Sequence, residues 1–315
     1  MLQFSDIIER NRYILQSIEE NNNNKAILYR NKISSLCLID ALHRSAVPFQ
    51  IKDFPTSELK HWLLADLIAF FNLAMVPQDV TSFNKIAYKL NAYISKEMKE
   101  YVNHNQRGRS VMDVLVDIPF LEDYQTRTQE TLKDRFTALQ NLRPYDAIHF
   151  IEVDLGYLAH LKENSKRLGT TMHHVRTRLD AYKAIARPLK TLFEFIERIH
   201  TLQLTIESST NAASESVTLS TLHGSKGLEF DEVYMIDVNP QVFPGFETLE
   251  KNALLEEERR LFYVGLTRAK KKFELLHVSF LNGSNNGHSK FIDELLSQSV
   301  SNHRIYNSTA KTSRS

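Results

Sequence analysis

A chain of 315 residues with 42% apolar side chains is long enough for two packed domains, and its composition excludes a collagen-like or wholly disordered protein. The net charge of +1 excludes an overall positive field, so nucleic-acid binding would need local basic clusters. A single cysteine, Cys37, excludes an internal disulfide framework and a cysteine-built zinc site. The chain has no apolar run near the ~18 residues of a membrane-spanning helix and no signal-peptide pattern at its start, so we expect a cytoplasmic protein.

The first 54 residues alternate between helix and strand patterns. Residues 5–20 predict an amphipathic helix, with Ser5 and Asp6 as candidate caps. A short apolar strand (KAILYR), a helix (ISSLCLIDALHR) and a second strand (VPFQIK) follow. This is a βαβ unit, which implies a parallel sheet.

The pattern changes to long helical stretches between about residues 56 and 215, and then strands return. The later strands are ESVTLSTLH, EVYMIDV and KFELLHVSF, with a helix predicted over roughly 250–269 before the last one. An interruption of about 160 residues is far longer than an ordinary loop, so we predict an inserted domain. The expected division is an α/β domain over 1–54 and 216–300, a helical insertion over 55–215, and a disordered tail over 301–315.

A polar loop lies between two of the predicted strands, in STLHGSKGLEFDEVYMID (220–237). It holds His223, Lys226 and Glu229 at spacings of three. Ligands of open α/β sheets bind beyond the carboxyl ends of strands, which makes this loop a candidate site. Spacing alone favours a plainer interpretation, in which Lys226 and Glu229 form a surface pair and His223 is satisfied within a turn.

The segment LLEEERRLFYVGLTRAKKKFELL (254–276) predicts an amphipathic helix. Its apolar stripe consists of Leu255, Phe262, Leu266 and Ala269. The opposite side carries Arg260, Val264, Thr267 and Arg268. Gly265 costs about 1 kcal/mol relative to alanine within a helix, so we expect a close neighbour there. Periodicity alone favours a charged helix with intrahelical pairs such as Glu256 with Arg260.

Together the two segments resemble motifs V and VI of the UvrD, PcrA and Rep family of superfamily one DNA helicases. AILYRNKISSLCLIDALHRSAVPFQI resembles the strand, helix and strand before that family's inserted domain, and HSKFIDEL resembles the segment that closes its second motor domain. The resemblance implies an α/β fold, with a RecA-like parallel sheet (domain 2A) interrupted by a mostly helical insertion (2B). It also implies an enzyme that hydrolyses ATP with Mg²⁺ and moves single-stranded DNA in the 3' to 5' direction.

The resemblance assigns roles to individual residues. Arg268, in GLTRA, matches the arginine finger that reaches the γ-phosphate, and a planar guanidinium suits that role because it can hold two phosphate oxygens. Glu229, in KGLEF, matches the carboxylate that accepts a hydrogen bond from the ATP ribose. Lys226, in the same loop, would sense nucleotide or hold the loop. His223, in TLH, and Arg30, in LYRN, match positions near the single strand, where cations and flat rings contact phosphates and bases.

Several features depart from the family. Lys32 stands where the family commonly has a DNA-contacting asparagine, and it could still contact phosphate. Arg260 is expected to be structural or coupling. The chain has no G-x-x-x-x-G-K-[ST] phosphate loop and no NYRS motif ahead of KAILYR, and neither FDEV (230–233) nor FIDEL (291–295) follows the buried run that a magnesium-binding Asp needs. We therefore expect the C-terminal half of a helicase that needs an upstream RecA-like domain and is inactive alone.

The insertion carries no strong site by itself. It lacks a glycine-centred duplex-binding hairpin near LNAY (90–93), since the first glycine is Gly108. Its basic residues favour a solvated face over a DNA surface; they are Lys85, Lys89, Lys96, Lys99, Arg107 and Arg109. His173 and His174 are adjacent and cannot both face one metal, so no metal is assigned. Trp62, Phe70 and Phe71 are expected in the core.

The expected partners are single-stranded and forked DNA and the missing upstream domain, with RNA polymerase or repair proteins as further candidates. No membrane partner is expected. Repair, replication restart and transcription-coupled roles stay open. The alternative function is that of a helicase relic without enzymatic activity, which binds nucleic acid or a protein.

Overall fold

The structure, a computed structural model, describes residues 1–21, 23–53, 56–209, 217–236, 238–240, 242–245, 248–281, 284–285 and 287–297. The predicted tail over 301–315 lies outside the described residues. The chain forms two compact units. We call the unit from 1–55 and 205–315 the sheet unit, and the unit from 56–204 the helical unit. No helix in the described ranges is both long and apolar enough to cross a bilayer.

A parallel sheet of six strands forms the centre of the sheet unit, which confirms the predicted fold class. The strands are β1 (Leu2–Phe4), β2 (Lys25–Tyr29), β3 (Phe49–Ile51), β4 (Val217–Thr221), β5 (Phe230–Met235) and β6 (Ala269–Val278). Their order across the sheet is β1-β6-β5-β2-β4-β3. Two short strands, β7 (Phe280–Leu281) and β8 (Ser284–Asn285), pair antiparallel.

The helices confirm a long helical insertion between β3 and β4. In chain order they are α1 (Ile7–Glu19), α2 (Lys32–Arg44), α3 (Trp62–Met75), α4 (Val80–Ile86), α5 (Lys96–Asn105), α6 (Val111–Val116), α7 (Asp123–Gln140), α8 (Pro144–Val153), α9 (Tyr157–Arg167), α10 (Met172–Ala186), α11 (Leu192–Ser209) and α12 (Asn252–Leu266). Two 3-10 turns lie at Thr56–Lys60 and Ala87–Lys89, and residues 290–297 are helical.

Local sequence signals near the start of the chain explain why α1 and β2 form. The Asp6 carboxylate caps α1, because it accepts hydrogen bonds from the backbone N–H groups of Ile8 and Glu9 at 2.8 and 2.9 Å. The whole of β2 is buried, as its continuous apolar run predicts for a strand covered on both faces. The sequence predicts no strand before α1, yet β1 pairs with the last part of β6. Three residues are too few for an alternating pattern to be visible.

Two expectations for the helical unit have different outcomes. Phe70 and Phe71 are fully buried, as predicted. The prediction that Trp62 belongs to the core is wrong, because its side chain is only half-buried. Trp62 is the first residue of α3, directly after the capping residue His61, and this helix end is partly open to solvent.

A buried polar cluster lies inside the helical unit. Asp66, in α3, accepts hydrogen bonds from Lys89 Nζ and from the Tyr157 hydroxyl, each at 2.6 Å. Burial raises the pKa of Tyr157, and the Asp66 charge raises it further. Lys89 is therefore an internal partner of a buried carboxylate, which explains why a basic residue stands at this position.

Candidate functional site

A loop over residues 222–229 runs from the carboxyl ends of the parallel strands to their amino ends. We call these two sides of the sheet its carboxyl edge and its amino edge. The loop leaves the carboxyl end of β4, where Thr221 lies level with Tyr29 of β2. It enters the amino end of β5, where Glu232 lies level with Lys25 of β2. Tyr29 and Lys25 are four positions apart along β2, which corresponds to about 13 Å. Only the first part of this loop therefore lies beyond the carboxyl ends of the strands.

The spacing of His223, Lys226 and Glu229 reflects helix-like turns within the 222–229 loop. The backbone N–H of Lys226 donates to the His223 carbonyl at 3.2 Å, and Leu228 N–H donates to the Ser225 carbonyl at 3.0 Å. Residues three apart share a face in such turns. The three predicted site residues are all exposed, whereas Leu222 and Ser225 are buried.

The plainer interpretation of this loop expected an ion pair between Lys226 and Glu229. Among the described residues, Glu229 instead pairs with Lys270 Nζ of β6, at 3.0 Å. Both side chains of that pair are more than half exposed, so the contact contributes little to stability. The carboxylate of Glu229 is thus on the surface at the amino ends of β5 and β6.

Arg268 closes the loop at the same edge. The structure ends α12 at Leu266, so Arg268 lies in the turn before β6 and not within a helix that continues to 269. Its Nη1 donates to the Leu228 carbonyl at 3.0 Å, and its Nε donates to the Val264 carbonyl at 2.9 Å. The Arg268 carbonyl in turn accepts from Phe230 N–H at 2.9 Å. These bonds hold Arg268 beside the residue that precedes Glu229.

At the opposite edge, Arg30 follows the carboxyl end of β2. Leu222 N–H donates to the Tyr29 carbonyl at 3.0 Å, which brings the start of the 222–229 loop to this point. The guanidinium of Arg30 donates to both carboxylate oxygens of Glu258, with a shortest distance of 2.6 Å. The Arg30 side chain is 36% exposed, and the Glu258 side chain is 7% exposed. Lys32, half-buried, begins α2 at the same edge.

Helix α12 packs against the 222–229 loop through Gly265. A Cβ atom on Gly265 would lie 2.6 Å from Leu222 Cδ2 and still closer to Met235 Cε. The expected close neighbour of this glycine is thereby found. Leu222, Met235 and Phe262 belong to one apolar cluster, so the loop and α12 share a core.

The charged outer face of α12 forms pairs other than the predicted one. Glu256 pairs with Arg259 and not with Arg260. Arg260 pairs with Glu257 at 3.0 Å, and its side chain is 76% exposed. Both pairs join residues three apart, a spacing that suits side chains on the same helix face as well as four does.

Residues 1–280 match the family of UvrD-like helicase C-terminal domains. The chain belongs to this family. It is 27% identical to the ATP-dependent DNA helicase Rep of Buchnera aphidicola over 78% of the chain, and 26% identical to DNA helicase II of Haemophilus influenzae over 89% of the chain. It is also 26% identical to the ATP-dependent DNA helicase PcrA of Bacillus subtilis over 86% of the chain. The matched regions make up 40%, 41% and 39% of those three relatives, so the chain spans about two fifths of their length.

Within this UvrD-like C-terminal domain, the predicted site residues form two groups. His223, Arg30 and Lys32 come from the carboxyl ends of β4 and β2. Glu229 and Arg268 come from the amino ends of β5 and β6. Lys226 lies on the 222–229 loop between the two groups.

The sequence interpretation missed Glu258, the partner of Arg30. Leu255, Glu258, Phe262 and Gly265 are all buried, and their spacing of three or four residues places them on one face of α12. A carboxylate on the apolar stripe of a helix is the signal that could have found it, because a buried charge requires a partner.

The described residues provide no cluster for a protein-held metal. Residues 1–21, 23–53, 56–209 and the described parts of 217–297 contain no group of three or more His, Cys, Asp or Glu side chains that could hold an ion. The rings of His173 and His174 lie 6.1 Å apart in the first turn of α10.

Proposed function

We propose that this UvrD-like C-terminal domain is the second motor domain of an ATP-dependent DNA helicase. In this proposal residues 1–54 and 216–300 are the RecA-like domain 2A, and residues 55–215 are a 2B insertion. The complete enzyme moves 3' to 5' on single-stranded DNA and unwinds duplex DNA, including forks. The observation that supports this proposal is the 222–229 loop, which joins the edge with His223 and Arg30 to the edge with Glu229 and Arg268.

The nucleotide end of the loop would act through two side chains. ATP with Mg²⁺ supplies the phosphoryl group that is transferred to water. Arg268 would stabilise negative charge on that group, because part of its donor set is not engaged by Leu228, Val264 and Thr267 in the described residues. The exposed carboxylate of Glu229 fits the role of a hydrogen-bond acceptor for the ribose.

The DNA end of the loop would act through an exposed ring and two cations. His223 can stack on a base or contact phosphate, and Lys32 can contact phosphate. Arg30 would contribute a guanidinium whose position is fixed by Glu258. A change in the 222–229 loop at either edge would then be transmitted to the other through a single short segment, since Leu222 and Leu228 both pack in the core shared with α12.

The nucleotide site of this chain would be only half of a complete one. The sequence lacks a phosphate-binding loop, so an upstream RecA-like domain must supply the residues that hold the triphosphate. Single-stranded and forked DNA are the proposed substrates, and RNA polymerase or repair proteins are candidate partners of the complete enzyme.

ATP hydrolysis in the presence of oligothymidylate tests the proposal. We expect no appreciable turnover by this chain alone and DNA-stimulated turnover by a longer chain that includes the upstream domain. Appreciable turnover by the 315-residue chain alone would contradict the division of the site between two domains. Single-stranded DNA binding without turnover in the longer chain would favour the alternative of a nucleic-acid-binding relic.

A further inference from the structure

Asp53 lies against the 222–229 loop. It follows shortly after β3, an outermost strand of the sheet, which pairs with β4. The ladder between β3 and β4 extends to Lys52, whose N–H donates to the Leu219 carbonyl at 2.9 Å. Immediately afterwards, the Asp53 carboxylate accepts a hydrogen bond from the Thr221 hydroxyl at 2.6 Å. The same hydroxyl oxygen accepts a bond from Gly224 N–H at 2.9 Å. Asp53 and Gly224 are therefore joined through one threonine hydroxyl.

The direction of these bonds gives Asp53 control over the hydroxyl. A threonine hydroxyl has one proton and can accept through its lone pairs. Because the Thr221 hydroxyl proton points to Asp53, the lone pairs of the hydroxyl oxygen are turned toward the Gly224 amide. Bonds to a charged acceptor are shorter and stronger than neutral ones, so the carboxylate fixes the rotamer of Thr221.

The backbone of the loop approaches Asp53 more closely than any side chain would allow. A Cβ atom on Gly224 would overlap Oδ2 of Asp53 and lie 2.5 Å from its Cγ. An alanine at 224 would therefore have to displace the carboxylate and break its bond to Thr221. Gly224 is the residue directly after His223, so the contact fixes the backbone next to the predicted DNA-facing ring.

We propose that Asp53 is the positioning residue that holds the DNA-facing end of the 222–229 loop. It acts through the Thr221 hydroxyl on the Gly224 amide and thereby sets the place of His223. The inference rests on the proposed function, since it concerns single-stranded DNA bound by this loop. A carboxylate near a phosphate backbone repels it, so Asp53 can favour DNA binding only through its hydrogen bond to Thr221 and not by contacting the phosphates.

A set of variants of the 315-residue chain tests this inference with labelled oligothymidylate. Asp53→Ala should weaken binding about three- to tenfold, the range expected for losing one charge-assisted bond that orders a loop. Asp53→Asn keeps an acceptor for Thr221 and removes the repulsive charge, so its binding should equal or exceed that of the unaltered chain. Thr221→Val should behave like Asp53→Ala, because it removes both bonds.

Gly224→Ala provides a test of the close approach. Alone it should weaken binding to the same extent as Asp53→Ala. Added to Asp53→Ala it should cause no further loss, because the carboxylate it displaces is already gone. Gly245→Ala is the matched control, since a Cβ there would meet nothing within 4 Å, and it should leave binding unchanged. Additive losses in the double variant would overturn the inference.

Hydrogen-exchange mass spectrometry over residues 217–229 separates this inference from the proposed function. Asp53→Ala and Gly224→Ala should speed amide exchange in this segment, and Asp53→Asn and Gly245→Ala should not. Unchanged exchange and unchanged DNA binding in Asp53→Ala would overturn the inference and leave the proposed function intact. Faster exchange in Asp53→Ala, together with no DNA binding by the longer chain that includes the upstream domain, would overturn the proposed function and uphold the Asp53 contact.

Discussion

Asp66 of the helical unit and Glu258 of the sheet unit are both buried carboxylates, but they hold different kinds of partner. In the helical unit Asp66 is bound by Lys89 and by the fully buried Tyr157, so its contacts end within the core. In the sheet unit Glu258 holds Arg30, whose side chain is 36% exposed at the edge that also carries His223. The same physical requirement, a partner for a buried charge, therefore serves packing alone in one unit and places a surface cation in the other.

The largest expected effect of any substitution lies at the nucleotide edge of the sheet unit. In a longer chain with the upstream domain, Arg268→Ala should lower ATP turnover by at least ~10³, with a modest loss of nucleotide affinity. Arg268→Lys should be nearly as poor, because an ammonium lacks the planar fork. Steady-state kinetics check this, with Arg143→Ala, an exposed arginine of the helical unit, as the control. Turnover of Arg268→Ala near that of the unaltered enzyme would contradict the finger assignment.

Removing the buried carboxylate of Asp66 should affect stability alone. Asp66→Ala leaves the Tyr157 hydroxyl buried without its acceptor and leaves Lys89 without its counter-charge, so unfolding should become easier by about 3 kcal/mol. Urea denaturation measures this difference. Oligothymidylate binding by the folded variant should match that of the unaltered chain. A change in DNA affinity would contradict the expectation that Asp66 serves packing alone.

Removing the corresponding carboxylate of the sheet unit should alter DNA binding as well. Glu258→Ala should cost only about 1–2 kcal/mol of stability, because the exposed side of Arg30 can be hydrated. Removing the negative charge of Glu258 beside Arg30 should favour a phosphate contact, so binding should become tighter and the slope of log affinity against log salt should steepen by about 1. Titrations at several salt concentrations test this, and an unchanged salt slope would count against a role for Arg30 at the DNA edge.

A packing substitution in α12 should have a smaller effect. Gly265→Ala gains up to about 1 kcal/mol of helix propensity but forces the side-chain ends of Leu222 and Met235 to move, so we expect a net destabilisation of about 1 kcal/mol. Gly245→Ala serves as the control, because its Cβ would meet open space. Stabilisation of the Gly265→Ala variant in thermal unfolding would mean that α12 is not tightly packed on the 222–229 loop.

An effect of similar size is expected from the pH dependence of the helical unit at His61. Burial lowers the pKa of His61 to about 4, and the nearby Arg178 charge lowers it as well. Its Nδ1 accepts a bond from Leu63 N–H at 3.3 Å, and protonation removes that acceptor. Since the folded pKa lies below the unfolded value of about 6.5, stability is complete above pH 6.5 and is lost as pH falls toward 4.

The variant His61→Asn isolates this contribution, because asparagine can cap α3 without titrating. Between about pH 7 and pH 4.5, the unaltered chain should lose about 1 kcal/mol more stability than His61→Asn, after allowance for the partial exposure of the ring. Denaturant unfolding at the two pH values measures the difference. Parallel losses in both chains would show that His61 does not set the acid sensitivity.

The sequence predicts regular elements well where their patterns are long. The apolar run AILY predicts most of β2 because a strand buried on both faces is largely apolar. The Asp6 cap predicts the start of α1 because the bond it makes is local. The three-residue β1 and the partial exposure of Trp62 were missed because neighbours far away in the chain decide whether such residues are buried.

Some features of the candidate site were likewise visible in the sequence, and others were not. By itself the sequence determined the parallel α/β pattern with a helical insertion, and the resemblance of two of its motifs to a helicase family marked the 222–229 loop and Arg268. Only the tertiary structure decided that this loop crosses the sheet from edge to edge, because strand register and crossover direction set its ends. The tertiary structure also decided the contacts of Arg30 with Glu258 and of Asp53 with Thr221. They join residues more than 150 positions apart, and no local rule of chain geometry can bring such side chains together.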